Sequence, residues 1–392
     1  MATLLSDKEL QTRCKRLQAK MSEIKADACI IVSSVNLYYL SGKVFTGYFY
    51  LPLDGEAVLF VRRPLEMTDN RVVYIRKPED ILTWMKEKGV NIPKHILLEA
   101  DQLTYNDYIR LQAVFSPEKT SNATALLRQL RSVKTDWEIA QLRISAKKHA
   151  EVYSRIKDCY SSGMSDVEFQ IEIEYVMRTL GSMGVFRAYG SNMDIHMGSV
   201  LAGANAEAPS PFDFALGGEG CDPSLPIGSN GTIMKQGTSV MIDMAGNYTA
   251  YLTDMTRTFS VGKLPDIAYR THQTAIDIQD AMIEKSKPGT SCAELYLLSL
   301  QMAEKAGFGK YFMGTKQQAK FVGHGVGLEI NEPPVLTERS KELLEPGIVF
   351  ALEPKFVLPE IGATGIENTF LVTDTGIEKL TLFEEQVIEL LV

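Results

Sequence analysis

Five residues in the last third of the chain, Asp243, Asp254, His324, Glu353 and Glu367, have the types and spacing of a site for divalent metal ions. Asp243 closes the run Ser239-Val240-Met241-Ile242 and Glu353 closes Val349-Phe350-Ala351-Leu352, so each acid is expected at the end of an apolar strand. A carboxylate carried into a low-dielectric interior is costly unless it is paired, hydrogen-bonded or bound to a cation, so two such strands invite one shared metal site. Four carboxylates and one imidazole carry too much negative charge for a single divalent ion and suit two ions bridged by shared carboxylates. An oxygen-rich shell with one histidine suits manganese, iron, cobalt or zinc, and residue types do not choose among them.

Taken singly, each acid has a blander reading, because Asp at a strand end is commonly a turn former or cap and Glu commonly lies on a solvated face. The pairing carries the metal reading. Asp243 and Asp254 are eleven residues apart around the turn-like Ala245-Gly246-Asn247, and Glu353 and Glu367 flank a loop containing Pro359, Gly362 and Gly365. A hairpin in each case folds the second acid beside the first. His324 lies in Phe321-Val322-Gly323-His324-Gly325-Val326-Gly327-Leu328, where glycines permit close backbone approach and apolar neighbours imply burial. A packed core histidine is the competing reading there.

The elements that must position these groups show an internal echo. Gly163-Met164-Ser165-Asp166-Val167-Glu168-Phe169 and Gly289-Thr290-Ser291-Cys292-Ala293-Glu294-Leu295 share Gly-x-Ser-x-x-Glu-apolar, a loop followed by a capping box that starts a helix. Gly237 stands six residues before Asp243, as Gly347 does before Glu353, and Asp254 precedes Thr258-Phe259 as Glu367 precedes Thr369-Phe370. Two halves, each a helix pair followed by an acid-bearing hairpin, predict a pseudo-twofold arrangement with the hairpins face to face. Ahead of them, residues 1–130 read as a small α/β domain. Its signals are a helix over Lys8–Glu23, a buried strand over Ala28–Val32, and further strands at Tyr48–Leu53, Ala57–Arg62 and His95–Leu98. The boundary is placed near Arg131, before a helix running from Asp136 to about Ile156.

Bulk properties exclude several function classes. The chain has 392 residues, 45% hydrophobic and 23% charged, which is ordinary for a globular protein with room for two domains. A net charge of -8 without a basic stripe argues against nucleic acid or an anionic membrane as partner, and favours a peptide or small molecule. No apolar run is long enough to cross a bilayer and no signal-peptide core precedes Lys20, so a cytoplasmic location is expected. Cys14, Cys29, Cys159, Cys221 and Cys292 are scattered and odd in number, which reads as free thiols and not as a thiolate zinc site.

The order Asp, Asp, His, Glu, Glu, together with Asp254-Met255-Thr256-Arg257-Thr258-Phe259, the His324 segment and Glu345-Pro346-Gly347, resembles the pita-bread metallopeptidases. That superfamily includes methionine aminopeptidase, aminopeptidase P, prolidase and the metal-free creatinase. Asn36-Leu37-Tyr38-Tyr39-Leu40-Ser41-Gly42 resembles a motif of the N-terminal domain shared by aminopeptidase P, prolidase and creatinase. The resemblance therefore implies a creatinase/prolidase-type α/β N-terminal domain, residues 1–130, followed by an α+β pita-bread catalytic domain with pseudo-twofold symmetry, residues 131–392. It implies an Xaa-Pro aminopeptidase or dipeptidase using a water bridging two divalent metals, with Mn2+ foremost and Co2+, Zn2+ or Fe2+ as alternatives. By the same resemblance Asp243 is a chelating ligand of the first metal and Asp254 and Glu367 are bridging ligands. His324 and Glu353 are ligands of the second, with Glu353 and His324 in the catalytic step and Glu353 handling the proton. Subunit contact through the N-terminal domain, as in a homodimer, is a further implication.

The chain departs from its relatives where substrate is held. The pattern Gly-x-Asn-x-x-x-Pro-His aligns with Gly203 to Ser210, so Ser210 stands in a histidine position, and Asn331 stands in another. Of the remaining histidines His196 is near the Ser210 segment, which makes Ser210, Asn331 and His196 the candidate substrate-binding residues. Gly365 and Asn368 replace the Arg and Asp of the usual Arg-x-Glu-Asp motif. Ser and Asn donate hydrogen bonds but do not shuttle protons near neutral pH, which predicts slower or differently specific amide hydrolysis. A non-peptidase C–N hydrolase acting on small amides is the alternative, and a non-catalytic binding protein a more distant one. Arg257 reads as an ion-pair partner for a ligand carboxylate. Leu216-Gly217-Gly218-Glu219-Gly220 lacks the Lys-Ser/Thr of a phosphate loop and reads as a flexible loop.

Overall fold

The computed structural model describes residues 5–190, 194–212 and 214–390. They form two compact units, Met1–Arg131 and Ser132–Val392. In the first, Ser6 caps the helix Asp7–Glu23, which buries Leu10, Leu17 and Met21 on one side. A six-stranded mixed sheet follows, ordered Val72–Tyr74, Val58–Arg63, Thr46–Pro52, Ala28–Ile31, His95–Leu98 and Lys119–Asn122. The short helix Ser34–Ser41 that carries Asn36 is fixed from below by the fully buried Glu99, which accepts from Ser33 N at 2.8 Å and Asn36 Nδ2 at 2.6 Å. Gly42 ends that helix in the left-handed region (φ 74°), where a side chain would be strained.

The second unit has two halves. In one, the helices Asp136–Tyr153 and Asp166–Thr179 accompany a sheet ordered Ile388–Leu390, Thr253–Val261, Thr238–Gly246 and Gly198–Ala202, with Val152, Phe169, Ile173, Val240, Ile242 and Phe259 in the core between them. In the other, Asp266–Lys285 and Cys292–Lys305 cover a sheet ordered Glu332–Thr337, Phe321–Gly325, Val349–Leu352, Asn368–Val372 and Ile377–Lys379, around Ile278, Leu295, Phe350 and Phe370. The echo read in the sequence is physical. Gly237 and Gly347 both turn with positive φ (82° and 89°), and each donates its N–H to the last residue of the partner strand, Val261 at 2.8 Å and Val372 at 2.9 Å. The fold is thus an α/β N-terminal domain followed by an α+β domain with pseudo-twofold symmetry.

Three local expectations change. Ser165 and Glu168 form both halves of a capping box, but at Ser291 only the side-chain-to-Glu294 N half forms, and Glu294 instead reaches toward Lys285 at 4.0 Å. Asp243 does not close its strand, because Thr238–Gly246 runs three residues beyond it and the turn begins after Gly246. The segment between Glu353 and Glu367, read as a loop, is mostly a β-hairpin, Lys355–Leu358 against Gly362–Gly365. Its buried Phe356, Val357 and Ala363 supply the apolar contacts that hold it.

Candidate metal centre

The β ladders explain how the five candidate ligands meet. In the first hairpin Asp243 lies opposite Thr256 and Asp254 opposite Ala245, so both acids project from the same face of adjacent strands, one diagonal step apart. In the second half the ladder of Val349–Leu352 with Asn368–Val372 ends at Leu352 opposite Asn368, and Glu353 and Glu367 are the next residues on the two strands. His324 enters from the neighbouring strand, where it pairs with Ala351. A bridge between Thr256 and Glu367 joins the two halves, and Thr256 Oγ1 donates to Glu367 Oε2 at 2.7 Å.

The residues resolve into two overlapping groups. Oxygen and nitrogen atoms of Asp254, His324 and Glu367 lie within 4.8 Å of one another, as do those of Asp243, Glu353 and Glu367. His324 Nε2 is 3.5 Å from Glu353 Oε1, 3.8 Å from Asp254 Oδ2 and 3.9 Å from Glu367 Oε1. Glu367 Oε1 is buried with no hydrogen-bond partner among the described residues, an expensive state for a carboxylate oxygen and one that a cation relieves. The Asp254–His324–Glu367 group therefore fits a divalent ion. Burial first, and then the charges of Glu367 and Asp243, push the Asp254 carboxyl well above its usual range. Burial does the same to Glu367, with Lys355 opposing and Glu353 and Asp243 adding.

Lys355 was not among the candidates. Its side chain is fully buried, and its ammonium lies 2.8 Å from Asp243 Oδ2, 2.8 Å from Glu353 Oε2 and 3.1 Å from Glu367 Oε2. Burial works against its charge, but the three carboxylates outweigh burial and hold it well above the usual lysine value. The signal was present in Glu353-Pro354-Lys355-Phe356-Val357-Leu358, because a cation at the head of an apolar run needs partners as much as an acid does.

Other site expectations are corrected. Arg257 is fully buried and does not ion-pair with a ligand carboxylate. Its guanidinium donates to the carbonyls of Thr256 (2.8 Å), Glu367 (2.8 Å) and Glu384 (2.6 Å) and to Asn368 Oδ1 (2.9 Å), so it braces the Glu367 backbone. Asn368 is neutral and accepts this bond, so the position needs no second acid. Asn331 is not a free donor for substrate: it accepts from Tyr189 N at 2.7 Å and donates to Tyr189 O at 2.9 Å, clasping the backbone at a bend. Ser210 is buried, accepts from Phe212 N at 3.2 Å, and lines a cavity of about 170 Å³ with Phe212, Phe214, Gln317 and Lys320. His196 is exposed and lies against Gly228, near the Pro226 carbonyl that faces Ser210. The glycine-rich segment is not a loose loop. A Cβ on Gly217 would stand 2.1 Å from Ser210 Cβ, and Gly217 O accepts from Gly228 N at 2.7 Å, so its glycines serve close packing.

Comparison with known proteins accords with this geometry. The model of metallopeptidase family M24 matches residues 140–374, and that of the creatinase/prolidase N-terminal domain matches residues 13–133. A Pyrococcus furiosus protein named Xaa-Pro dipeptidase is 27% identical over 387 residues, covering 97% of this chain and all of that protein. The putative dipeptidase YkvY of Bacillus subtilis is 29% identical over 394 residues, covering 96% and 99%. Among solved structures, the Xaa-Pro dipeptidase from Bacillus anthracis superposes with a TM-score of 0.81 at 24% identity, over 97% of this chain and all of that one. The prolidase from Pyrococcus horikoshii OT3 superposes with a TM-score of 0.79 at 23% identity, over 96% and 100%.

Proposed function

Because the chain belongs to metallopeptidase family M24 and is a metal-dependent peptide hydrolase, we propose that its substrates are Xaa-Pro peptides, cleaved as an aminopeptidase or a dipeptidase. The observation that carries this reading is the meeting of Asp243, Asp254, His324, Glu353 and Glu367 at one point in a chain that aligns end to end with Xaa-Pro dipeptidases. A dinuclear centre is typical of the family, and these five residues are the proposed ligands. Bound divalent ions supply Lewis-acid polarisation of the scissile carbonyl and a more acidic water. Glu353 then holds the proton at Oε1, since its Oε2 is occupied by the Lys355 ammonium. Thr256 and Lys355 orient Glu367, and the segment around Ser210 and His196 forms the substrate side.

We further propose manganese as the working metal, with cobalt, zinc or iron as substitutes, a cytoplasmic homodimer, and a domain boundary near Arg131. No helix among the described residues is long and apolar enough to cross a membrane. The alternative of a non-peptidase C–N hydrolase is not favoured, because the end-to-end relatives carry peptidase names. Purified protein loaded with Mn2+ should release amino acids from Xaa-Pro dipeptides or proline-second oligopeptides and lose this activity to a chelator. Turnover confined to small cyclic or guanidino amides would sink the peptide reading.

A further inference from the structure

Lys355 is placed by its strand and not by chance rotation. Its carbonyl accepts from Met313 N at 2.8 Å, and its strand partner is Gly365. A Cβ on Gly365 would stand 2.8 Å from Lys355 Cα and 3.2 Å from Lys355 Cγ, so the glycine, held at φ 148°, makes the room through which the lysine side chain passes. Beyond it the ammonium has three donors and spends them on three different carboxylates, Asp243, Glu353 and Glu367. Those are the members of one of the two groups able to hold an ion. The contacts have the length of charged hydrogen bonds, whereas bonds from carboxylate oxygen to an ion such as zinc are about 2.0–2.2 Å. The other group uses different atoms: Asp254 Oδ2, His324 Nε2 and Glu367 Oε1, the last of which is buried and has no hydrogen-bond partner among the described residues.

We propose that the Lys355 ammonium takes the place of one of the two metal ions, so that the centre holds a single divalent ion at Asp254, His324 and Glu367, with Glu353 Oε1 beside it. This rests on the family reading above and revises its second metal position: Asp243 becomes a partner of Lys355 and not a metal ligand. One ammonium and one divalent ion offset three of the four carboxylate charges, so the buried cluster does not require a second ion. Lys355 is a built-in cation that fixes Asp243 Oδ2, Glu353 Oε2 and Glu367 Oε2 and leaves the remaining oxygens of the two glutamates turned toward His324.

The test counts ions without substrate. Metal-stripped wild-type protein and Lys355→Ala are each equilibrated with Mn2+, dialysed and assayed for manganese per chain, and the bound ion is examined by electron paramagnetic resonance. The wild type should hold one ion with an uncoupled spectrum, and Lys355→Ala should rise to two ions with the signature of a coupled pair. Two ions, or none, on the wild-type chain overturns the proposal, and that result does not depend on the variant folding. A folded Lys355→Ala protein that still stops at one ion also overturns it. Wild-type protein with one ion and no activity on Xaa-Pro peptides leaves the count in place and removes only the substrate reading.

Discussion

Thr256 and Glu367 hold each other at both backbone and side chain. Thr256 N donates to Glu367 O at 3.3 Å, Glu367 N donates to Thr256 O at 3.1 Å, and Thr256 Oγ1 donates to Glu367 Oε2 at 2.7 Å. The two residues belong to different halves of the pseudo-twofold unit, so this clasp is where the halves agree on the position of the carboxylate common to both candidate ligand groups. Fully buried groups of this kind orient a ligand more than they add bulk stability.

Thr256→Val keeps the shape and removes the hydroxyl. It should weaken Mn2+ binding by about 10–100-fold and cost about 1–3 kcal/mol of stability by leaving Glu367 Oε2 short of a donor. Calorimetric Mn2+ titration and chemical denaturation measure the two effects. An unchanged dissociation constant would show that the hydroxyl does not orient Glu367.

Asp254→Ala and Glu367→Ala each remove a group from the Asp254–His324–Glu367 set. Both should lose bound metal and reduce turnover by more than the roughly 100-fold that disturbing an outer partner produces. Chelator should lower the wild-type melting temperature. Ligand at 100 times its dissociation constant contributes about 2.7 kcal/mol, and that stabilisation disappears with the ion. Unchanged metal content in either variant would remove these residues from the ligand set.

Much of this arrangement is legible because acids interrupt apolar runs, where an unpaired charge is costly, and their spacing repeats. The strand His95–Leu98 and the convergence of Asp243 with Asp254 follow from pattern alone. The role of Lys355 is not legible in the sequence alone because a lysine near an acid is ordinarily a solvated surface residue, and only the pairing with Gly365 makes its path inward visible. The role of Asn331 is hidden for a related reason. Residue type shows that it can donate, but not that Tyr189, remote in sequence, already takes both of its polar ends.

The loop after His324 rests on a buried ion pair. Lys134 Nζ lies 3.0 Å from Glu332 Oε2, both side chains are 1% exposed, and Glu332 Oε1 accepts from Leu328 N at 3.1 Å and Glu329 N at 3.3 Å. Lys134→Met should destabilise the protein by about 3–5 kcal/mol, because it removes one partner of a buried ion pair. Urea denaturation of the metal-loaded protein measures this. A loss under about 1 kcal/mol would mean that the remaining partners of Glu332 satisfy it.

Two buried histidines contribute to the acid side of the stability curve. Burial, with Arg257 adding, lowers His149 to about 3, and burial lowers His272 to about 4 against the raising effect of its bond to the Glu385 carbonyl. Both are neutral in the folded state, whereas the unfolded chain protonates them near the ordinary value of about 6.5. Between these values the unfolded state binds more protons, so stability falls as pH drops from about 6.5 toward 4, by about 1 kcal/mol per pH unit for each histidine. Above about 6.5 the two groups add no pH dependence. His149→Gln, which retains a polar group toward Thr253 Oγ1, 3.1 Å away in the wild type, should make the slope over this window shallower. Melting temperatures of the Mn2+-loaded wild type and variant from pH 7 to pH 4.5 decide it, and parallel curves would show that His149 protonates as readily in the folded protein as in the unfolded chain.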